Sequence, residues 1–273
     1  MASDSKKLIL GLLSGLSLEQ VKPFFLSLEK CQYRGEVCMV VSDLGVATQA
    51  FLRARQVQLV PFQKAFLKNY SAHAAKLPGM ILSRRRRPLF DRQIAPAYMH
   101  PRCARYFFYQ SYLQECGGAY SHLMLTDVRD VMFQADPFAF ELPEGLCVFL
   151  EAGSQGKATA TATVSTGVIM GTAASVREHL ARLTGILCKR RDRQPIDKAV
   201  HSFLVHQEPP PNLHCFENFS GPALNLGNVD PAALQFAASG HILGRTGQIV
   251  NILHQYDRHA DLKPKLAALL TQF

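Results

Sequence analysis

No two cysteines in this chain are placed to work together. The seven of them, at 31, 38, 103, 116, 147, 188 and 215, are scattered, odd in number and never spaced as Cys-x-x-Cys. That pattern argues against a disulfide framework and a structural zinc site, and makes a reducing cytoplasm the natural compartment. Cys38 and Cys147 lie inside apolar runs and read as small core residues. No apolar run approaches the roughly 18 residues that a membrane span requires. Lys6 and Lys7 precede Leu8–Leu13, but Gly11, Ser14 and Gly15 interrupt the run and no small-residue cleavage site follows. The segment therefore reads as a first strand and not as a signal peptide.

Acidic residues are the scarcer charge, with 21 Asp and Glu against 30 Lys and Arg, a net charge of +9. Much of the excess is concentrated in Arg84–Arg87 and Lys189–Arg193. Such runs are solvated faces or attractors of anions, among them phospholipid headgroups, so peripheral membrane contact through the Arg84–Arg87 region stays open. No nucleic-acid reader motif and no regular basic–aromatic interleaving is present, which argues against nucleic acid as a partner.

What is present is a rhythm. At 273 residues the chain suits one large domain, and it contains no internal repeat and no long linker. Leu8–Leu13 reads as a strand, and Ser17-Leu-Glu-Gln20 as a capping box opening a helix to about Lys30. Glu36–Ser42 is a second strand, Ala47–Arg55 a short helix and Val57–Phe62 a third strand. Alternation of this kind predicts an α/β fold with a mostly parallel, twisted central sheet flanked by helices, Rossmann-like in its first half. Residues 63–100 lose the rhythm and read as an excursion over the sheet edge. It resumes with a helix over Pro101–Cys116. Further on, Leu146–Glu151 and Thr166–Gly171 read as strands, Ala173–Leu187 and Pro195–His206 as helices. Val250–Leu253 closes the set of strands and Leu262–Leu270 the helices. Gly153–Thr163 reads as a loop of small residues.

The stretch Leu123-Met-Leu-Thr-Asp127-Val-Arg-Asp130 carries the most chemistry. A buried strand ends there in two carboxylates three apart, and ligands of open α/β sheets bind outside the carboxyl ends of the strands. Two such carboxylates form a hard-oxygen pocket suited to Mg²⁺ or Mn²⁺. Closing a strand with a turn uses Asp equally well, so this stretch alone does not decide.

Three further segments fall in order with it: the α/β start with its early glycines, Ser165-Thr-Gly-Val-Ile-Met-Gly171 followed by Ile196-Asp197-Lys198, and Gly247-Gln-Ile-Val-Asn-Ile-Leu-His254-Gln-Tyr-Asp-Arg-His259. Together these resemble the nucleotide-sugar-dependent glycosyltransferases of the GT-A fold. The closest likeness is to members whose acidic motif continues into Phe-Gln-x-Asp-Pro-Phe, here Phe133–Phe138. The resemblance spans most of the chain and implies a single GT-A-like domain. Residues 1–130 would be its nucleotide-sugar half, and 131–273 its acceptor half with a C-terminal metal-ligand segment.

By position, the resemblance implies Asp127, Asp130 and His254 as ligands of Mn²⁺ or Mg²⁺. It implies Ser165, Thr166 and Gly167 as a turn lining the sugar and acceptor pocket, with Gly11, Arg105, Asp127 and Arg258 also on the donor. Asp197 falls where an acidic residue commonly faces a sugar and is a candidate base, with Asp130 the second catalytic residue. Arg129, Arg258 and Lys263 are candidate clamps on a leaving phosphate. The expected donor is a UDP- or GDP-type sugar; the acceptor is a glycan, lipid or protein. Two departures are visible: the acids are spaced Asp-x-x-Asp, not Asp-x-Asp, and Lys198 stands where Gln is usual. A metal-dependent phosphohydrolase, or a non-catalytic protein binding sugar nucleotide or nucleic acid, is the alternative. Bland readings also stand: a satisfied histidine for His254, a cap for Asp136, a surface turn for Glu151 and a local ion pair for Asp257 with Arg258.

Overall fold

The computed structural model describes residues 6–62, 96, 99–116, 118–151, 163–190 and 194–271. The Arg84–Arg87 run, most of the 63–100 excursion and nearly all of the 153–163 loop lie outside them. Strand β1 (Lys7–Ser14) leads into helix α1 (Leu18–Lys30), whose capping box forms as expected: the Gln20 amide donates to Ser17 Oγ and the Ser17 amide to Gln20 Oε1. Then come β2 (Glu36–Ser42), α2 (Val46–Arg53), β3 (Gln58–Pro61), α3 (Pro101–Glu115) and β4 (His122–Thr126). The second half adds β5 (Val131–Phe133), β6 (Leu146–Leu150), β7 (Val164–Thr172), α4 (Ala173–Arg190) and α5 (Asp197–His206). It closes with β8 (Leu213–Phe216), β9 (Ala223–Asn225), β10 (Ile252–His254) and α6 (Leu262–Thr271).

Seven strands form the central sheet in the order β3-β2-β1-β4-β7-β6-β8. All run parallel except β7, which is antiparallel to both β4 and β6. The sheet is α/β and mostly parallel, as expected, and it takes strands from both sides of the boundary drawn at residue 130. Its strands are buried on both faces, so alternate residues serve two cores. Leu8, Leu10, Leu123, Leu125, Val148 and Ile169 pack against α3, α4 and α5 through Tyr106, Leu113, Leu180 and Leu204. Ile9, Leu13, Met39, Met124, Phe149 and Met170 pack on the other side against Phe24, Phe25 and Leu28 of α1.

A second sheet, β5-β10-β9, lies on the α1 side. Val131, Phe133, Ala223 and Ile252 join the core beneath α1, while Met132, Leu224 and Leu253 face Leu262, Leu266 and Leu269 of α6. β5, β8 and β9 are not foreseen from the sequence, because three or four residues are too few to establish a period of two. Among the described residues no helix is long and apolar enough to cross a membrane.

Between α4 and α5, His179 Nε2 lies 2.9 Å from His201 Nδ1, both rings fully buried. Burial pushes His179 down to about 4 from 6.5, and His201 well below its ordinary value. The unfolded chain takes up protons below about pH 6.5 that the folded chain refuses, so stability is full above that pH and falls as pH drops from there toward 4. The expected slope is up to about 1.4 kcal/mol per pH unit for each ring. Urea denaturation between pH 7.5 and 4.5 reads it, and the His179→Leu/His201→Leu variant should show a shallower profile. An unchanged slope would assign the acid loss to other groups.

Candidate metal centre and its cavity

Asp127 is the first residue beyond β4, and its amide donates to Gly167 O at 2.9 Å. Val128 and Arg129 turn the chain, and Asp130 follows just before β5. His254 ends β10 beside Asn225 of β9 and Val131 of β5. Its Nε2 stands 3.8 Å from Asp127 Oδ2 and 3.8 Å from Asp130 Oδ2. One ligand atom from each of the three residues can be chosen so that all lie within 4.8 Å of one another, close enough to hold a metal ion. A small divalent ion bound at about 2.1 Å keeps neighbouring donors roughly 3 Å apart and opposite ones roughly 4.2 Å apart, so little movement is needed. The donor set, two carboxylates and one imidazole, fits a divalent cation.

The carboxyls sit in unequal fields. At Asp127 burial works to raise the pKa, but Arg105, His254 and Arg102 outweigh it and hold the group below the ordinary carboxylate range. At Asp130 burial prevails, opposed by His254 and aided by Asp127 and Asp257, and the group rises above that range. A cation between them would favour the ionised form of both.

Arg105 explains the difference. Its guanidinium is buried, ion-paired to Asp127 Oδ1, and donates to Tyr106 Oη at 3.0 Å and Thr166 O at 3.1 Å. Asp197 Oδ2 is 3.6 Å away. With one Asp127 oxygen held from behind, the other faces His254. Arg105, expected near a nucleotide, therefore lies beneath the site; Arg102, one turn earlier on α3, lines the cavity together with Arg129 and Arg258. Asp197 is corrected in the same way. It is 0% exposed, its carboxylate lies against Arg102 Nε at 3.5 Å and Arg105, and it does not line the cavity. Lys198 is turned to the cavity instead, 2.6 Å from Glu151 Oε2.

Ser165, Thr166 and Gly167 are not a turn, because β7 begins at Val164. Thr166 reaches the cavity, while Ser165 Oγ lies 3.2 Å from His254 Nδ1 and accepts from the Gly167 amide. A Cβ on Gly167 would fall 2.1 Å from His254 Nε2, so glycine is what lets the imidazole lie over the strand. Gly11 sits inside β1, where a Cβ would meet Met39 Sδ at 2.7 Å and Val128 Cγ2 at 2.8 Å. It makes room for the acidic turn and does not line the cavity.

The cavity is about 710 Å³. Leu12 of β1 and Leu16 just beyond it form an apolar wall; Arg102, Arg129, Glu151, Lys198, Asp257 and Arg258 complete the charged lining around Asp127 and Asp130. Arg258, implied by the resemblance as a donor contact, is among the lining residues. Asp257 pairs with Arg129 at 3.6 Å, not with its chain neighbour Arg258, and Lys263 does not line the cavity. Gln255 carries the chain out of β10 with φ +60°, its amide donating to Asp130 O at 2.7 Å. A non-glycine in that left-handed conformation costs of order 1 kcal/mol, and here it joins the strand of His254 to the backbone of Asp130. Arg102 and Asn225 carry no signal in the sequence, since each acts through partners far along the chain.

No family model matches the chain, and no curated protein is significantly similar to it.

Gly167→Ala tests the packing under the imidazole. The added methyl must displace His254, so Mn²⁺ affinity by calorimetry is expected to fall at least about tenfold, for a stability loss of about 1–3 kcal/mol. Unchanged affinity would show that the ring position is not what holds the ion.

Proposed function

We propose that the chain is a metal-dependent glycosyltransferase of the GT-A fold, moving a sugar from a UDP- or GDP-type donor to a glycan, lipid or protein acceptor. The observation that supports this most directly is the convergence of Asp127, Asp130 and His254 on one side of a polar cavity at the carboxyl end of β4. Glycosyl transfer from a nucleotide diphosphate sugar breaks the bond between the anomeric carbon and a phosphate oxygen, leaving negative charge on the diphosphate. Mn²⁺ or Mg²⁺, when bound, supplies Lewis-acid stabilisation of that charge.

The chain's own residues divide the remaining work. Asp127 and Asp130 offer carboxylate oxygens, and His254 offers Nε2. Arg129 and Arg258 are exposed on the cavity lining, where their guanidinium groups suit phosphate oxygens. Glu151, also on the lining and held by Lys198, takes the acceptor-facing role expected of Asp197, with Thr166 lining the same cavity.

Thermal denaturation with nucleoside diphosphates and their sugars, with and without Mn²⁺, tests the reading. A ligand at 100-fold its Kd adds about 2.7 kcal/mol, which for a chain of this size raises the Tm by roughly 5–10 °C. A metal-dependent shift with a uridine or guanosine diphosphate donor is expected, lost in Asp130→Asn. In His254→Ala, Mn²⁺ affinity should weaken while the fold persists. Phosphate release from simple esters, with no response to any sugar nucleotide, would assign the cluster to phosphohydrolysis instead.

A further inference from the structure

We infer that Asn225 is the positioning residue of the metal centre: its side-chain amide fixes His254 in the form that carries hydrogen on Nδ1 and turns the Nε2 lone pair toward Asp127 and Asp130. This inference rests on the cation site proposed above and assigns a task to a residue outside it. Asn225 is 2% exposed and pairs in register with His254 across β9 and β10. Its Nδ2 donates to Leu150 O at 2.9 Å, which settles which end of the amide is which. Oδ1 therefore faces His254 Nδ1, at 2.7 Å. An oxygen has only lone pairs to offer there, so Nδ1 must bring the hydrogen; two facing lone pairs at that distance would repel.

The backbone of Asn225 is held as firmly as its amide. Its N–H donates to Asn218 Oδ1 at 3.0 Å, and Asn218 Nδ2 donates back to Asn225 O at 2.9 Å. Asn218 is itself buried. Ser165 Oγ, at 3.2 Å from the same Nδ1, is the longer contact and already accepts from the Gly167 amide. The other end of the ring is thus left to the two carboxylates, each 3.8 Å from Nε2. A neutral imidazole in this form presents three electron-rich atoms to one point, an arrangement that a cation completes. Hydrogen bonding at the far nitrogen orients a ligand imidazole and makes it a better donor, and losing such a partner typically costs 10–100-fold in metal affinity.

Mn²⁺ alone is the probe, titrated calorimetrically into the full chain, with ¹⁵N spectra of the His254 imidazole (assigned by its loss in His254→Ala) reporting which nitrogen bears hydrogen in alkaline buffer without metal. Wild type should show hydrogen on Nδ1. Asn225→Leu should bind Mn²⁺ about 10–100-fold more weakly and shift the ring toward the other tautomer. Asn225→Asp keeps an acceptor for Nδ1 but loses the donor to Leu150 O, and should bind within a few fold of wild type. If Asn225→Leu does not fold, Asn225→Asp and the wild-type spectrum decide. Hydrogen on Nε2 in wild type overturns the inference, as does equal weakening in both variants, which would make the amide merely structural. Full affinity in a folded Asn225→Leu also overturns it, and leaves the cation site standing. A wild-type chain that takes up no Mn²⁺ overturns the site and the inference together.

Discussion

A buried guanidinium is the constraint around which the site is arranged. Arg105 reaches from α3 to Asp127 beyond β4, to the Thr166 carbonyl of β7 and to Asp197 at the start of α5. Four elements distant in sequence are thus joined by one side chain. Arg105 and Asp197 are removed from water and tolerable there only together: removing one member of such a buried pair typically costs about 3–5 kcal/mol, because the other stays buried and uncompensated. The same contact divides the two oxygens of Asp127, one spent on the scaffold and one turned to His254. Structural and functional roles are in this way assigned to two atoms of one carboxylate.

The reversal of β7 has a consequence of similar weight. A strand parallel to β4 would bring its carboxyl end to the acidic turn. Running the other way, β7 brings its first residues there, and Ser165, Thr166 and Gly167 become the floor under His254, a carbonyl for Arg105 and an acceptor for the Asp127 amide. Side chains for this floor must be small, since the imidazole lies where the Gly167 Cβ would be. The small sheet supplies the complementary half: β10 is tied to β5 and β9, so His254 arrives already registered against Val131, the residue after Asp130.

Much of this was legible in the sequence wherever the physics is local. The capping box of α1, the alternation through β3 and the acid-ended strand β4 depend on neighbours within a few residues, and they lie where the residues place them. The direction of β7 is not written in Val164–Thr172, because a strand buried on both faces has the same apolar content in either sense. Asp197 is implied by the resemblance to face a sugar; its burial comes from Arg102 and Arg105, nearly a hundred residues earlier. Gly11 is implied by the resemblance as a donor contact, yet its absent side chain serves Met39 and Val128. Asn225 sits in a strand of three residues, too short to announce itself, and its partners Leu150 and His254 come from two other strands.

Charge balance ties the cation to the ligand it would serve. The chain as a whole is strongly basic at +9, but the cavity is not. Arg102, Arg129, Lys198 and Arg258 line it, and so do Asp127, Asp130, Glu151 and Asp257, four of each sign. An anion approaching such a surface gains little net attraction, and desolvating it there would go uncompensated. A divalent ion on the Asp127, Asp130 and His254 atoms tips the balance by two positive charges, the charge that a nucleotide diphosphate ester brings with opposite sign. On the proposed reading, cation and donor therefore bind as a unit, each raising the affinity of the other by the same factor.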